Sequence, residues 1–453
     1  MNPFAMIDEP AEEKYFFWKG KWISDVKATC HDVWEMNLSA FRDSKAKVVS
    51  AWNNAREVGD WMKVVFFAAL SIAVFLGTFI WTPLLVVLFC TITGLLCLIY
   101  SITAIILALA EHFFLRIHGL FNLCKHCHAK VNLPVYECPN CHKKHLNLLP
   151  GPRYGIFFRR CSTPGCGTKI PVLRVTGKKK LPSFCRNCGI ALSADDYVPV
   201  TIAFLGGPSV GKTMLFNSLA TRSLESAISE HSWKMIVKNE DEEKIRLMKQ
   251  WIDKGITPRT TQDRAIEALC IDVDRGKGHF PLRIYLYDPP GESFTSTSKL
   301  KIHRYYDHLK GVIWVVDPFT LEEVSNRLAG RESEFETVRV GALSTETCLE
   351  RWLIGMEKDF SESIKLSVCA VIITKTDVPC FSEVFGLHMG DNDEACRKFF
   401  FDCHYDNFVD TIDRTFSRVR FFAVSATGGT QDGQGFAPVG LDEATKWIFD
   451  NLI

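Results

Sequence analysis

A glycine-rich loop that ends in lysine and threonine is the segment of this chain best suited to chemistry. Residues 206–213 read GGPSVGKT and precede a helical stretch. Glycines let backbone N–H groups turn toward phosphate oxygens, and the helix start adds its dipole. Lys212 would neutralise β- and γ-phosphates, Thr213 would ligate Mg²⁺, and Pro208 removes one N–H donor. The candidate phosphate-binding residues are Gly206, Pro208, Ser209, Val210, Gly211, Lys212 and Thr213.

An aspartate and a glycine follow a second apolar run, in the segment RIYLYDPPGE at residues 283–292. Asp288 would hold Mg²⁺ through a water molecule, as Mg²⁺ usually keeps several of its waters. The N–H of Gly291 would contact the γ-phosphate. This Asp-x-x-Gly pattern predicts the metal side of a nucleotide site.

Residues suited to reading a base follow two further apolar runs. A carboxylate at Asp377 can accept the N1–H and N2 amino protons of guanine, and adenine lacks this donor pair. Asp377 would therefore select GTP. Lys375 would lie along the base, and the backbone after the run 421–424 could meet guanine O6. The candidate base-binding residues are Thr374, Lys375, Asp377, Ser425 and Ala426.

Eight of the 17 cysteines form four close pairs with the spacing of zinc ligands. Taken in chain order they make two sets, each sufficient for a closed, structural, tetrahedral Zn²⁺ site. A redox CxxC, disulfides, or one set without metal are the alternatives, and His126, His128 or His142 could replace a cysteine ligand. The first set is Cys124, Cys127, Cys138 and Cys141, and the second is Cys161, Cys166, Cys185 and Cys188.

Each nucleotide motif comes directly after an apolar run that is suited to a buried strand. In open α/β sheets, ligands bind beyond the carboxyl ends of the strands. The pattern therefore predicts one α/β domain over residues 198–453, with a mostly parallel sheet. A helical insertion is expected near 220–255, and a further insertion near 380–415.

In order and type these motifs resemble those of P-loop GTPases of the Ras-like and translation-factor class, over residues 198–453. The resemblance implies a Ras-like fold that binds GTP and Mg²⁺ and hydrolyses GTP to GDP. The segment TPRTTQD at 257–263 is similar to switch I of Era-type GTPases. That similarity would make Thr261 a second Mg²⁺ ligand, with Thr260 as the alternative.

One position departs from the Ras-like pattern. Ras-like proteins carry a water-orienting Gln directly after the Asp-x-x-Gly glycine, and this chain has Glu292 there. A carboxylate repels the γ-phosphate, although a hydrogen-bonded one could still orient water. We expect slow hydrolysis that needs a partner. Arg259 and Arg264 could serve as internal arginine fingers, although surface arginines are the simpler interpretation. The expected catalytic set is Lys212, Thr261, Gly291 and Glu292.

Residues 64–110 contain no charged residue and no histidine. A membrane span needs about 20 residues, so the run is too long for one crossing. Pro83 interrupts the run, and proline marks a turn or a helix start. We expect a transmembrane hairpin of two helices, 64–81 and 84–110. Basic residues flank the hairpin and are absent from its tip, which places both chain ends in the cytosol, at the plasma (inner) membrane.

The remaining regions are assigned by composition. Residues 1–63 are expected to be cytosolic and largely helical over Asp25–Met62, with packing favoured over a position on the membrane surface. Residues 111–123 are expected to form a juxtamembrane helix, and 124–190 two zinc ribbons. The N-terminus lacks the features of a cleavable signal peptide. The net charge of +1 gives no general attraction to nucleic acid.

The combination of membrane, zinc and nucleotide segments is similar to bacterial GTPases of paired conflict-type systems. This similarity implies a protein effector or a partner GTPase. A GTP-dependent molecular switch is the favoured hypothesis. The alternatives are a zinc-ribbon recognition module with a structural nucleotide, and a membrane-remodelling GTPase. Nucleic acid is a possible but not favoured partner, because the basic residues Arg159, Arg160 and Lys178–Lys180 suit anionic headgroups or a protein better.

Overall fold

The computed structural model divides the chain into two compact units. One comprises Pro3–Arg116 and Leu133–Phe184, and the other comprises Ile117–Asn132 and Cys185–Ile453. The expected zinc-ribbon region, 124–190, is therefore shared between the two units. The residues described are 21–59, 61–146, 148–151, 155–193, 196–256, 268–292, 306, 308–356, 365, 367–429 and 435–452.

Long helices form the start of the described chain. The helix predicted over Asp25–Met62 is present as α1 (Lys21–Val58), which ends before Met62 and packs antiparallel on α2 (Trp61–Leu76). Trp52 faces Trp61 and Phe41 faces Phe75, with ring centroids 5.5 and 6.0 Å apart. The packing interpretation of this helix therefore agrees with the structure. The helices are α1 (Lys21–Val58), α2 (Trp61–Leu76) and α3 (Thr82–Ile117).

The apolar run forms one continuous helix and not the hairpin expected from Pro83. A π-helical segment, Gly77–Trp81, joins α2 to α3, so the helix extends over 57 residues. A proline lacks an N–H and its ring meets the carbonyl of residue i−4, and the wider π-turn directly before Pro83 accommodates both. The prediction of two spans, 64–81 and 84–110, is therefore wrong. The expected juxtamembrane helix 111–123 is the end of α3 as far as Ile117 only.

This helix is long and apolar enough to cross a membrane, and it is the one such helix in the described part of the chain. Its most apolar window has a mean hydropathy of 2.5, and none of that window is buried. The expected cytosolic position of both chain ends depended on two crossings. A single continuous helix gives that topology no support, so it stays a prediction.

Short strands carry the cysteine pairs. In the second unit β1 pairs antiparallel with β2, and in the first unit β3 pairs antiparallel with β4 and β7, and β5 with β6. Strands this short have little core of their own, and such small scaffolds generally depend on metals or disulfides. The strands are β1 (Asn122–Leu123), β2 (Lys130–Val131), β3 (Val135–Glu137), β4 (Lys144–His145), β5 (Phe158–Arg160), β6 (Lys169–Pro171), β7 (Ser183–Phe184) and β8 (Ala191–Leu192).

A seven-stranded sheet in the order β10-β11-β12-β9-β13-β14-β15 organises the second unit. The neighbouring strands β12, β9, β13, β14 and β15 are parallel to one another. At the other edge, β10 pairs antiparallel with β11, and β11 pairs antiparallel with β12. The strands are β9 (Val198–Leu205), β10 (Lys234–Val237), β11 (Leu269–Asp274), β12 (Leu282–Tyr287), β13 (Gly311–Val316), β14 (Val368–Ile373) and β15 (Arg418–Ala423).

Helices cover both faces of this sheet, which explains why its central strands are continuous apolar runs. On β13, Trp314 and Val316 enter one core, and Ile313 and Val315 enter the other. The helices are α4 (Lys212–Ser218), α5 (Leu224–Glu230), α6 (Asn239–Asp253), α7 (Glu322–Arg327), α8 (Thr345–Met356), α9 (Pro379–Phe385), α10 (Asp393–Asp402), α11 (Asp406–Thr415) and α12 (Leu441–Leu452), with a π-helical segment at Leu219–Ser223.

The predicted α/β class is confirmed, with a mixed sheet. The expected insertion near 220–255 is not wholly helical, because it contains β10, which extends the sheet at its antiparallel edge. The insertion expected near 380–415 consists of the helices α9 to α11. A specifically Ras-like fold stays a prediction.

Candidate functional site

The glycine-rich loop connects β9 to α4, and its backbone requires glycine at two positions. Gly206 has a φ of 143° and Gly211 a φ of 97°, values that L-residues rarely adopt. A Cβ at Gly206 would lie 2.5 Å from the carbonyl oxygen of Val315. The loop therefore passes closely over the end of β13 before it turns into α4.

Lys212 begins α4, and its ammonium group lies inside the loop. Its Nζ donates to the carbonyl oxygens of Gly206 at 2.9 Å and of Gly207 at 2.5 Å. Burial lowers the pKa of Lys212 to about 8, against the opposite effect of nearby Asp288. A cation in this desolvated position would attract an anion strongly, because charges interact more strongly where the dielectric is low.

Thr213 and Asp288 form a second polar pair beside this lysine. The Thr213 hydroxyl donates to Asp288 Oδ2 at 2.8 Å. Asp288 Oδ1 is buried and has no hydrogen-bond partner among the described residues. Burial raises the pKa of Asp288, and Lys212 and the Thr213 hydroxyl partly offset that effect. A hydroxyl and a carboxylate with an unused buried oxygen are donors that fit a hydrated Mg²⁺ ion.

The Asp-x-x-Gly turn after β12 lies directly on the glycine-rich loop. A Cβ at Gly291 would lie 2.4 Å from Pro208 Cα and 2.6 Å from Pro208 N. Only glycine therefore permits this contact. Gly291 is buried and Glu292 is exposed. The structure thus brings both residues next to the loop that carries Lys212.

The candidate base-binding residues lie at the carboxyl ends of β14 and β15. The Thr374 hydroxyl donates to the carbonyl oxygens of Val210 at 3.0 Å and Val316 at 3.1 Å, which ties the end of β14 to the glycine-rich loop. Asp377 Oδ2 accepts a hydrogen bond from the Thr427 hydroxyl at 3.1 Å. This bond joins the two strand ends.

The turn after β15 is held by the side chain of Ser425. Its buried oxygen accepts from the N–H groups of Thr427 at 3.3 Å and Gly428 at 2.8 Å. Ala426 follows and is half-buried. The predicted base-binding residues therefore come together at one edge of the sheet, next to the phosphate-loop candidates.

Asp317, directly after β13, belongs to the same site and was not predicted from the sequence. Its carboxylate is fully buried and accepts from Lys375 Nζ at 2.5 Å, Gly341 N at 2.8 Å and Phe319 N at 3.1 Å. Lys375 has a φ of 59° and also donates to the carbonyl oxygens of Ser209, at 3.4 Å, and Arg339. An aspartate at the end of an apolar strand, as in VIWVVD, was the available signal.

Thr261 and its alternative Thr260 lie outside the described residues, as do Arg259 and Arg264. The expected second Mg²⁺ ligand therefore stays a prediction. The remaining nucleotide-site candidates, from Gly206 to Ala426, all lie at the carboxyl edge of the sheet.

The cysteine pairs form two clusters, but not in the grouping expected from chain order. The expected sets combined Cys124 and Cys127 with Cys138 and Cys141, and Cys161 and Cys166 with Cys185 and Cys188. The structure instead nests one cluster inside the other along the chain. The outer cluster is Cys124, Cys127, Cys185 and Cys188, and the inner cluster is Cys138, Cys141, Cys161 and Cys166.

The nesting follows from strand pairing. β3 pairs antiparallel with β7, with Val135 opposite Phe184, so the chain before β3 and the chain after β7 leave at the same end of the pair. The β5–β6 hairpin then closes the inner cluster within that loop. Such long-range pairing cannot be read from the spacing of the cysteines alone.

Both clusters fit a tetrahedral zinc ion. In each, the four sulfur atoms lie within 4.8 Å of one another. Sγ–Sγ distances are 3.4 Å for Cys124–Cys188 and 3.8 Å for Cys138–Cys166. Zn–S bonds of about 2.3 Å in a tetrahedron require about 3.8 Å between sulfurs. Two zinc ions could therefore be held, and among the described residues the ligand groups consist of cysteines, without His126, His128 or His142.

No protein-family model matches the chain, and no curated protein matches it significantly. Function is therefore inferred from the geometry of the chain itself.

Proposed function

We propose that the chain is a membrane-anchored GTP-binding molecular switch that hydrolyses GTP slowly to GDP. One observation carries this proposal: three kinds of group meet at the carboxyl edge of one sheet. They are the buried ammonium of Lys212, the Thr213–Asp288 pair, and the carboxylate of Asp377. These groups match the phosphates, the metal ion and the base of a magnesium nucleotide.

On the phosphate side, the Lys212 ammonium and the N–H groups of the glycine-rich loop would hold the β- and γ-phosphates. Phosphate oxygens would replace the carbonyl oxygens that Lys212 now contacts within its own loop. Thr213 and the unused Oδ1 of Asp288 would hold Mg²⁺, directly or through water. Mg²⁺ would neutralise charge between the phosphates, and every group named here is contributed by this chain.

On the base side, Asp377 supports GTP rather than ATP. Its carboxylate can accept two hydrogen bonds from guanine, and adenine offers no matching pair of donors. Its present bond to Thr427 leaves acceptor capacity, because an ionised carboxylate has about four lone-pair positions. Asp317 holds Lys375, so that the lysine stem can lie along the base.

For hydrolysis, Gly291 packs on the glycine-rich loop and Glu292 stands beside it, exposed. A carboxylate near the γ-phosphate adds repulsion, so the proposal includes slow turnover that a partner accelerates. The proposed switch is the ordering of the segment around Gly291 and Glu292 by the γ-phosphate, and its release on hydrolysis. A protein effector or partner GTPase would read that surface.

Outside the nucleotide site, two structural zinc ions and a membrane helix complete the proposal. The exposed, apolar helix Trp61–Ile117 would anchor the chain in the plasma (inner) membrane. The α3 end of that helix is bound to the inner-cluster region, since Lys178 Nζ lies 3.8 Å from Glu111 Oε1 and both groups are largely buried.

The alternative of nucleic-acid recognition by the ribbons is weakened by the burial of basic residues. Lys178 is only 7% exposed and faces Glu111, and Arg159 is only 4% exposed. A buried, paired cation is not available to phosphates in solution. The positive charge that this region exposes to solvent is therefore smaller than its sequence indicates.

Binding isotherms for GTP and ATP test the proposal. Zinc-loaded full-length protein in detergent should bind GTP with Mg²⁺ and bind ATP much more weakly. Asp377→Asn should weaken GTP binding by about tenfold or more, because one acceptor is replaced by a donor; about 1.4 kcal/mol corresponds to tenfold. Asp442→Asn, which changes an exposed aspartate at the start of α12, is the matched control. Equal affinity for the two nucleotides in the wild type, or equal effects of the two variants, would refute the proposal.

A further inference from the structure

The chain that leads into the outer cysteine cluster is hydrogen-bonded to β12, the strand directly before Asp288. β1 leads into Cys124, and the Leu123 carbonyl oxygen accepts a hydrogen bond from the Tyr285 hydroxyl at 3.1 Å. Tyr285 lies on β12, three residues before Asp288. The turn that begins at Cys124 is therefore attached to β12 through this hydrogen bond.

A second contact lies closer to the metal-binding aspartate. The His128 Nδ1 atom and the Tyr287 hydroxyl oxygen are 3.3 Å apart, and the two rings meet edge-to-face at 5.0 Å. Both side chains are buried, with 8% and 1% exposure. Tyr287 is the last residue of β12 and is covalently followed by Asp288. A movement of His128 would therefore be transmitted directly to Asp288.

The position of His128 depends on the cysteine turn. Its N–H donates to the Cys124 carbonyl oxygen at 2.9 Å, and its φ of 55° is unusual for a residue with a side chain. Such a conformation is energetically unfavourable and persists only where the surrounding structure enforces it. The bonds from a metal to Cys124 and Cys127 would supply that constraint, since they fix both ends of the turn.

We propose that zinc in the outer cluster positions Asp288 through the His128–Tyr287 contact, so that zinc and the magnesium nucleotide bind cooperatively. Tyr287 and His128 are positioning residues in this scheme, since neither lies in the nucleotide site. The cooperativity with a nucleotide rests on the proposed function, whereas the positioning of Asp288 by the outer cluster does not. Thermodynamic linkage requires the effect to be reciprocal: bound nucleotide must tighten zinc binding by the same factor.

The first test compares the two clusters. In full-length protein in detergent, Cys124→Ser should lower GTP affinity about tenfold, within the usual range for coupled sites. Cys138→Ser, which breaks the inner cluster of the other unit, should leave GTP affinity unchanged. In Tyr287→Phe, removal of outer-cluster zinc by a chelator should no longer change GTP affinity, whereas Tyr405→Phe should behave as the wild type. Equal losses for the two cysteine variants, or full zinc sensitivity in Tyr287→Phe, would overturn the inference.

The second test needs no nucleotide. Hydrogen–deuterium exchange of the peptide covering residues 282–292 should increase in Cys124→Ser and remain unchanged in Cys138→Ser. If the wild type fails to bind GTP but this peptide responds as expected, the proposed function fails and the positioning of Asp288 stands. If GTP binds but the peptide does not respond, the positioning role is refuted and the proposed function stands.

Discussion

At the scale of single residues, Asp317 shows how the site combines distant parts of the chain. A buried carboxylate without a partner would be costly, and here it accepts from an ammonium group and two N–H groups. A Cβ at Gly341 would lie 3.4 Å from Asp317 Oδ2 and 2.7 Å from the Thr320 methyl group, so glycine permits the loop to approach. Asp317 thereby connects β13, the loop at 339–341 and Lys375.

Lys212 predicts that nucleotide binding weakens at alkaline pH. Burial lowers its pKa from 10.5 to about 8 in the free protein. Bound phosphates would stabilise the ammonium form and raise this pKa again, so binding takes up a proton once the free protein has lost it. GTP affinity should therefore change little below about pH 8 and fall by up to about tenfold per pH unit above it.

Isothermal titration across this pH range measures the effect. Lys212→Ala is the control, because it removes the titrating amine together with its attraction for phosphate. Its affinity should be lower throughout, and its decline above about pH 8 should disappear. An equally steep decline in Lys212→Ala would assign the proton to another group.

At the scale of elements, the continuous helix shows how a π-segment changes the effect of a proline. The side chain of Thr78, within Gly77–Trp81, donates to the Val74 carbonyl oxygen at 2.9 Å. Side-chain hydroxyls of this kind occupy carbonyls that a wider turn would leave without a donor. Pro83 follows this segment and lies inside a helix that was expected to end there.

Membrane attachment is predicted to depend on the exposed face of α3. Leu88→Lys combined with Leu95→Lys places two charges on side chains that are 52% and 58% exposed. Each lysine costs about 2.5–3.5 kcal/mol at the centre of a bilayer. The wild type should remain in the membrane pellet after alkaline carbonate extraction, whereas the double variant should be released.

The matched control for that extraction places lysines on α1. Met36→Lys with Val49→Lys changes two exposed apolar residues outside the apolar run, and this variant should stay in the pellet. Retention of the α3 double variant in the pellet would show that protein, not lipid, covers this helix.

At the scale of the whole molecule, the nested cysteine clusters predict a specific pattern of zinc loss. Wild-type chain should bind two zinc ions. Cys124→Ser with Cys185→Ser changes two ligands of the outer cluster, so one ion should remain. Cys124→Ser with Cys138→Ser damages both clusters and should lose both. Zinc per chain, measured by atomic emission after gel filtration, distinguishes these results.

The opposite pattern of zinc loss would support the two cysteine sets expected from chain order. In that case Cys124→Ser with Cys138→Ser would retain one ion and Cys124→Ser with Cys185→Ser would retain none. The two double variants therefore serve as controls for each other.

Much of the candidate site was predictable because its parts are local. The loop 206–213 and the Asp-x-x-Gly turn each combine special residues with an adjacent apolar strand, and strand ends of a parallel sheet necessarily lie at one edge. Asp317 was not predicted because its hydrogen-bond partners, Gly341 and Lys375, are distant in sequence. A single aspartate after a strand does not by itself indicate what it binds.

Residue spacing and apolar pattern were sufficient to predict the α/β class, the candidate residues around Lys212 and Asp288, and the four cysteine pairs, because each of these features is local in the chain. Three features emerge only in the folded chain: which cysteine pairs share a cluster, the continuity of the apolar run as one helix, and the contact between the outer-cluster turn and β12. These features depend on the β3–β7 pairing, the π-segment before Pro83 and the His128–Tyr287 contact. Each results from the packing of the folded chain, which residue spacing does not specify.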